Sequence, residues 1–175
     1  VSSDQSEHRT FRALIGEISR RKIPVVILKK GDAVRQGDAR IEILSPPRSP
    51  EIGDDVNDSS LVLYASAEGA SVLFTGDIGK EAELELLKSA KGIRADVLKV
   101  PHHGSKYSSS AQFLASVRPA VSVIEVGKNS YGHPTQEAMQ RLRRSGTKIL
   151  RTDIDGNIKI TVRDGIVEVF TRVLR

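Results

Sequence analysis

Three short apolar runs, SVLF (71–74), DVLKV (96–100) and VSVIEV (121–126), each lead within a few residues into Asp or His. Runs of this length between turn-forming residues read as buried β-strands. Strands with both faces covered belong to α/β sheets. The segments after them are Thr75-Gly76-Asp77, Pro101-His102-His103-Gly104-Ser105 and Tyr131-Gly132-His133-Pro134. The chain has four His, and three of them stand here. Three neighbouring strands would therefore deliver one Asp and three His to one edge of one sheet. Imidazole and carboxylate are the ligands a borderline divalent metal takes.

The rest of the chain alternates helix and strand patterns. Phe11, Leu14, Ile15 and Ile18 form a helical stripe over Thr10 to Lys22. VVIL (25–28) predicts a short buried strand, and ARIEIL (39–44) a half-buried one. The stretch 45–60 is rich in Pro, Asp, Asn and Ser and predicts a flexible loop. LVLYAS and SVLFTG flank Glu68-Gly69 as a hairpin. Helices are predicted over Gly79 to Ala90, with Leu84 and Leu87 inward, over Ser108 to Val117, and over Thr135 to Arg144 with Thr135 as N-cap. TKILRT, NIKITV and IVEVFTRV close the chain as consecutive hairpins, separated by Asp155-Gly156-Asn157 and Asp164-Gly165. Helices alternating with strands and mixed with hairpins predict one domain over 1–175, an α/β sandwich with a mixed sheet.

Composition narrows the function classes. No run approaches the 18 apolar residues of a spanning helix. The absence of Cys excludes a disulfide framework and a thiolate metal site. Net charge is 27 − 22 = +5, a balance that suits a polyanionic partner.

Each segment suggests chemistry. Asp77, straight after a strand, would sit at a strand's carboxyl end, where open α/β sheets bind ligands; the alternative is that it caps the following helix. Adjacent His102 and His103 cannot both point the same way, so one would ligate or shuttle a proton while the other orients or packs. Gly104-Ser105 would turn tightly behind them, with Ser105 able to hydrogen-bond an imidazole or a phosphate. His133 precedes Pro134, whose ring at the first helical turn fixes the backbone and makes the His a rigid feature at a helix N-terminus. Lys99, Lys106, Tyr107, Lys128 and Tyr131 gather nearby: cations for phosphates, rings for bases. Arg141, Arg143, Arg144 and Lys148 read as a solvated face.

NDSSLVL (57–63), LFTGD (73–77), ADVLKVPHHGSKYSSS (95–110), NSYGHP (129–134) and RTDIDGNIKI (151–160) together resemble the metallo-β-lactamase-like domain of ComEC-type competence proteins, bacterial DNA-uptake channels. The resemblance implies an αββα sandwich with a divalent metal site for Mn or Zn. It implies a nuclease that degrades the strand not taken into the cell, with single-stranded DNA as partner. Asp77, His103 and His133 would be metal ligands, His102, His103 and Ser105 catalytic, and Asn57 and Gly104 part of the pocket. The alternatives are a related hydrolase of small phosphodiesters or esters, and a non-catalytic DNA-binding module. The superfamily's His-x-His/Asp-x-Asp-His motif is not among these residues. The chain therefore reads as the C-terminal part of such a domain, incomplete in its metal set, weak or inactive alone, and open to pairing or swapping with a second copy. The parent would be an integral membrane protein carrying a channel domain, with this piece itself soluble.

Overall fold

The computed structural model describes residues 9–45, 56–90 and 92–173. The amphipathic stripe forms α1 (Arg9–Arg20), and the Gly37-Asp38 turn folds β1 (Ala33–Gln36) onto β2 (Ala39–Ser45). VVIL is not the expected buried strand. It has no strand pairing, and Val26 is 70% exposed. Apolar content does not by itself supply a ladder partner, and β1 takes the sheet edge beside β2. Of the predicted 45–60 loop, residues 46–55 lie outside the described set, while Val56–Ser59 forms a 3-10 turn.

β3 (Val62–Ala67) and β4 (Ala70–Phe74) form the expected hairpin. The chain then becomes a wound α/β unit: α2 (Lys80–Ser89), β5 (Val97–Lys99), α3 (Ala111–Val117), β6 (Val121–Ile124), α4 (Gln136–Arg144) and β7 (Lys148–Arg151). The seven strands lie in sequence order, antiparallel from β1 to β4 and parallel from β4 to β7. This is the expected mixed sheet.

β7 does not form a hairpin with the next strand. A short turn of helix, α5 (Thr152–Asp155), intervenes, and Gly156 (φ +70) redirects the chain. A Cβ at Gly156 would stand 2.2 Å from the Arg172 carbonyl oxygen, so only glycine fits. β8 (Asn157–Arg163) and β9 (Ile166–Arg172) then pair through the Asp164-Gly165 turn as a separate two-stranded sheet.

Side-chain alternation decides the layers. Leu73, Leu98 and Ile124 face the helices and bury against Leu86, Phe113, Leu114 and Leu142. Val97, Val121, Val123 and Leu150 face the other way, onto Ile158, Ile160, Val167 and Val169 of the β8–β9 hairpin. The layer order is helices, large sheet, small sheet. On α2 the inward residues are Glu83 and Leu86, with Leu87 half-buried. Leu84, expected inward, is exposed. Among the described residues no helix is long and apolar enough to cross a membrane.

Candidate active site at three strand ends

β4, β5 and β6 are adjacent and parallel, so their carboxyl ends open on one edge. The buried Thr75 hydroxyl donates to the Lys99 carbonyl at 2.7 Å, tying the end of β4 to β5. Gly76 (φ +55) turns against Ser60, whose Cβ would lie 2.6 Å from an added side chain. The Asp77 N–H donates to Ser60 Oγ at 3.2 Å. Asp77 does not cap α2. The N-cap is Gly79, whose N–H donates to Asp58 Oδ1 at 2.8 Å. Ser60 and Asp58 thus hold the backbone on either side of Asp77, and Asn57 stands beside Asp58 in the Val56–Ser59 3-10 turn. The only sequence signal for that role was the NDSS run itself.

His102 and His103 occupy a 3-10 turn over Pro101–Gly104, both with left-handed φ (49° and 53°). That conformation is costly for a side-chain-bearing residue, though His tolerates it better than most. Ser108 Oγ holds the turn by donating to the Pro101 carbonyl at 3.0 Å. The two rings diverge as expected, with the left-handed backbone as the cause.

His103 Nδ1 lies 2.6 Å from the Glu125 carbonyl oxygen. A carbonyl only accepts, so Nδ1 carries the proton and Nε2 is left to face Asp77 Oδ2 at 3.5 Å. His102 instead meets His133 edge-on, with ring centroids 5.5 Å apart. His133 is held by Asn129, whose Oδ1 accepts its N–H at 3.0 Å and whose Nδ2 donates to its carbonyl at 2.8 Å. Asn129 also accepts the Tyr131 N–H and donates to the Gly127 carbonyl, so its amide builds the whole loop. Sequence reading passed over it inside NSYGHP. Burial, and then the His102 and His103 rings, push the His133 imidazole below its usual range, against the opposing pull of Asp77.

Pro134 stands just ahead of the first helical turn. Thr135 is the N-cap of α4, its hydroxyl accepting the Ala138 N–H at 3.3 Å, and Pro134 precedes it. Pro134 packs on Gly104 (φ +80), where a Cβ would come within 2.6 Å of the Pro134 Cβ. Gly104 thus joins the His102-His103 turn to the His133 segment, and its carbonyl accepts the Thr135 N–H at 2.9 Å.

Ser105 is 2% exposed, and its hydroxyl accepts the Tyr107 N–H at 3.3 Å instead of meeting a ring. Lys99 is not a free surface cation. Its Nζ donates to the Gly76 carbonyl at 2.8 Å and lies 3.3 Å from Asp77 Oδ1. Lys106, with its ammonium 5.0 Å over the Tyr107 ring, Lys128 and Tyr131 are exposed, Tyr131 at 81% and 6.0 Å from the His133 ring. Arg141 is not solvated. Its guanidinium donates to the Lys106, Ser108 and Ser109 carbonyls. Buried Glu83 takes the N–H groups of Ser109 and Ser110 in the same turn. Neither role was visible in the sequence.

The expected metal set does not close. Among the described residues no group of three His, Cys, Asp or Glu stands together as a metal site. Asp77 and His103 touch, and His133 turns to His102 instead. Two donors fall short of the three protein ligands a catalytic zinc takes.

Over 140 residues the chain is 39% identical to ComE operon protein 3 of Bacillus subtilis, covering 79% of this chain. It is 39% identical over 129 residues to Competence protein ComA of Neisseria gonorrhoeae and 36% identical over 120 residues to Recombination protein 2 of Haemophilus influenzae, covering 73% and 68% of this chain. This chain is homologous to a segment of the ComEC-type competence proteins. It spans only 18% of the length of the first two ComEC-type relatives and 15% of the third. No protein-family model matches the chain. A solved structure from Parabacteroides distasonis, provisionally described as a metal-dependent hydrolase, superposes with a TM-score of 0.50 at 19% identity, covering 77% of this chain and 61% of that one. That likeness supports the metallo-β-lactamase-like α/β fold.

Proposed function

We propose that this chain forms one wall of a metal-dependent DNA-hydrolysing site, in the nuclease part of a ComEC-type DNA-uptake protein that degrades the strand not transported. The observation that carries the reading is the meeting of Asp77 and His103 across the ends of β4 and β5, on a homologue of competence proteins. His103, with Nδ1 fixed on the Glu125 carbonyl, presents Nε2 to hold or deliver a proton at the leaving oxygen. His102 and His133 form the second imidazole pair beside it. Ser105 acts by holding the turn that carries these residues. Lys106 and Lys128 would meet phosphates, and Tyr107 and Tyr131 would stack on bases, which favours single-stranded DNA over a small phosphodiester. A Mn or Zn ion would need donors beyond those gathered here, so the chain alone is a weak nuclease. The parent is a membrane channel protein, by extension from the competence relatives.

The test is hydrolysis of an end-labelled single-stranded oligonucleotide and of bis-p-nitrophenyl phosphate, with Mn²⁺ or Zn²⁺ supplied. Faster cleavage of the oligonucleotide, lost in His103→Ala, supports the reading. Salt-dependent binding with no cleavage at all would make the protein a binding module instead.

A further inference from the structure

A groove of about 470 Å³ lies on the helical layer between α3 and α4, where Arg118, Arg141 and Arg144 stand over Leu114, Ala115 and Pro119. No carboxylate lines it. Two exposed cations, Arg118 and Arg144, with no acid in the lining make a site for an anion, and the apolar floor suits the face of a sugar or base. The volume is enough for a nucleotide-sized group.

The groove is coupled to the strand-end site through Arg141. Its Nε and Nη2 hold the carbonyls of Lys106, Ser108 and Ser109, the turn that presents Lys106 and Tyr107. α4 begins three residues after His133 and runs for nine residues, Gln136–Arg144. At 1.5 Å per residue α4 carries the groove's far end roughly 13 Å beyond the helix start that follows His133. A mononucleotide cannot bridge that distance, but a strand of several nucleotides can. Arg118 and Arg144 are exposed, and Arg118 closes α3 in a left-handed conformation (φ 49°, ψ 53°) with Nε donating to the Ala115 carbonyl at 3.1 Å.

We propose that the α3–α4 groove is a second anchoring subsite for the phosphates of single-stranded nucleic acid, holding the strand beyond the point of cleavage. It rests on the nucleic-acid reading of the site above, and adds the path the strand takes away from it.

The test is fluorescence anisotropy with labelled dT20 over a NaCl series from about 50 to 200 mM. The variants are Arg118→Asn with Arg144→Ser, and separately Lys106→Ala with Tyr107→Ala. Asn keeps the left-handed residue tolerable, and circular dichroism confirms that each variant folds. The arginine pair should weaken dT20 binding about tenfold and reduce the slope of log K against log[salt] by about 1.4, two phosphate contacts at 0.7 each. Unchanged affinity and slope in the arginine pair, with weakening in the Lys106/Tyr107 pair, would overturn the groove and leave the hydrolytic site standing. Groove-dependent binding by a wild type that never cleaves would uphold the groove and remove the nuclease. A wild type that does not bind dT20 would overturn the groove.

Discussion

The Lys99 ammonium lies 3.3 Å from Asp77 Oδ1 and 2.8 Å from the Gly76 carbonyl oxygen. Its side chain is only 12% exposed, and Asp77 is more open at 36%. Lys99 thus locks the backbone that carries the carboxylate, and spends its donors there instead of on a ligand. Lys99→Met should destabilise the fold by about 1 kcal/mol, the cost of losing the ammonium's hydrogen bond to the Gly76 carbonyl, to which the His102 N–H still donates. Because Lys99 faces inward, dT20 affinity should change less than cleavage. Urea unfolding and oligonucleotide anisotropy on the same variant check both halves.

Glu83 is buried in α2 and accepts the N–H groups of Ser109 and Ser110. Burial raises its pKa above the ordinary 4.5, outweighing those hydrogen bonds and Arg141. The unfolded chain releases this proton first, so the native state binds more protons between the ordinary and the raised value. Stability from this group is therefore full below pH 4.5 and declines as pH rises through the raised value. Glu83→Gln should cost about 1–3 kcal/mol, since the two N–H groups meet different carboxylate oxygens and the amide sets an NH2 donor against one of them. The decline should vanish in Glu83→Gln, which denaturant midpoints measured against pH would show.

His133 has the opposite sign. Its pKa lies below the usual imidazole value of 6.5, first through burial and then through His102 and His103. The unfolded chain then binds the extra proton, and stability is complete above 6.5 and falls as pH drops through the lowered value. Replacement by Asn should flatten that loss. Thermal melts of wild type and His133→Asn across pH 5–8 test it, and parallel losses in the two proteins would count against the crowded trio.

Gly104 adopts φ +80, and an added Cβ would meet Pro134 at 2.6 Å. Gly104→Ala should therefore cost about 1–3 kcal/mol from backbone strain and crowding together. The effect belongs to the site, because Gly104 joins the His102-His103 turn to the His133 segment. NMR of the imidazole protons should show all three His shifted in the variant.

Much of this was legible in the chain because strand ends are marked twice, by an apolar run and by the turn residues after it. β4, β5 and β6 follow from SVLF, DVLKV and VSVIEV, and Asp77 and His103 meet as their spacing implies. What was hidden depends on partners distant in sequence. VVIL looked like a strand, but pairing is decided by neighbours, and β1 sits beside β2. Lys99 reads as a cation for phosphates until the Gly76 carbonyl stands opposite it. Glu83 and Arg141 carry ordinary helix-face residue types, and only the fold places both on the Lys106–Ser110 turn. Among the described residues Asp77, His103 and His133 do not gather as one group, and the His133 ring stands edge-on to His102 while the Asn129 amide holds the His133 backbone.

The central claim is that Asp77 and His103 act as one hydrolytic unit, and a double-mutant cycle tests it most directly. Single-turnover cleavage of a labelled oligonucleotide is measured for wild type, Asp77→Asn, His103→Gln and the double variant, with the metal supplied. Each single change should slow cleavage about 10²-fold or more, and the double variant should be little slower than the worse single. Rates that fall independently and multiply, or a wild-type rate kept in either single variant, would contradict the account.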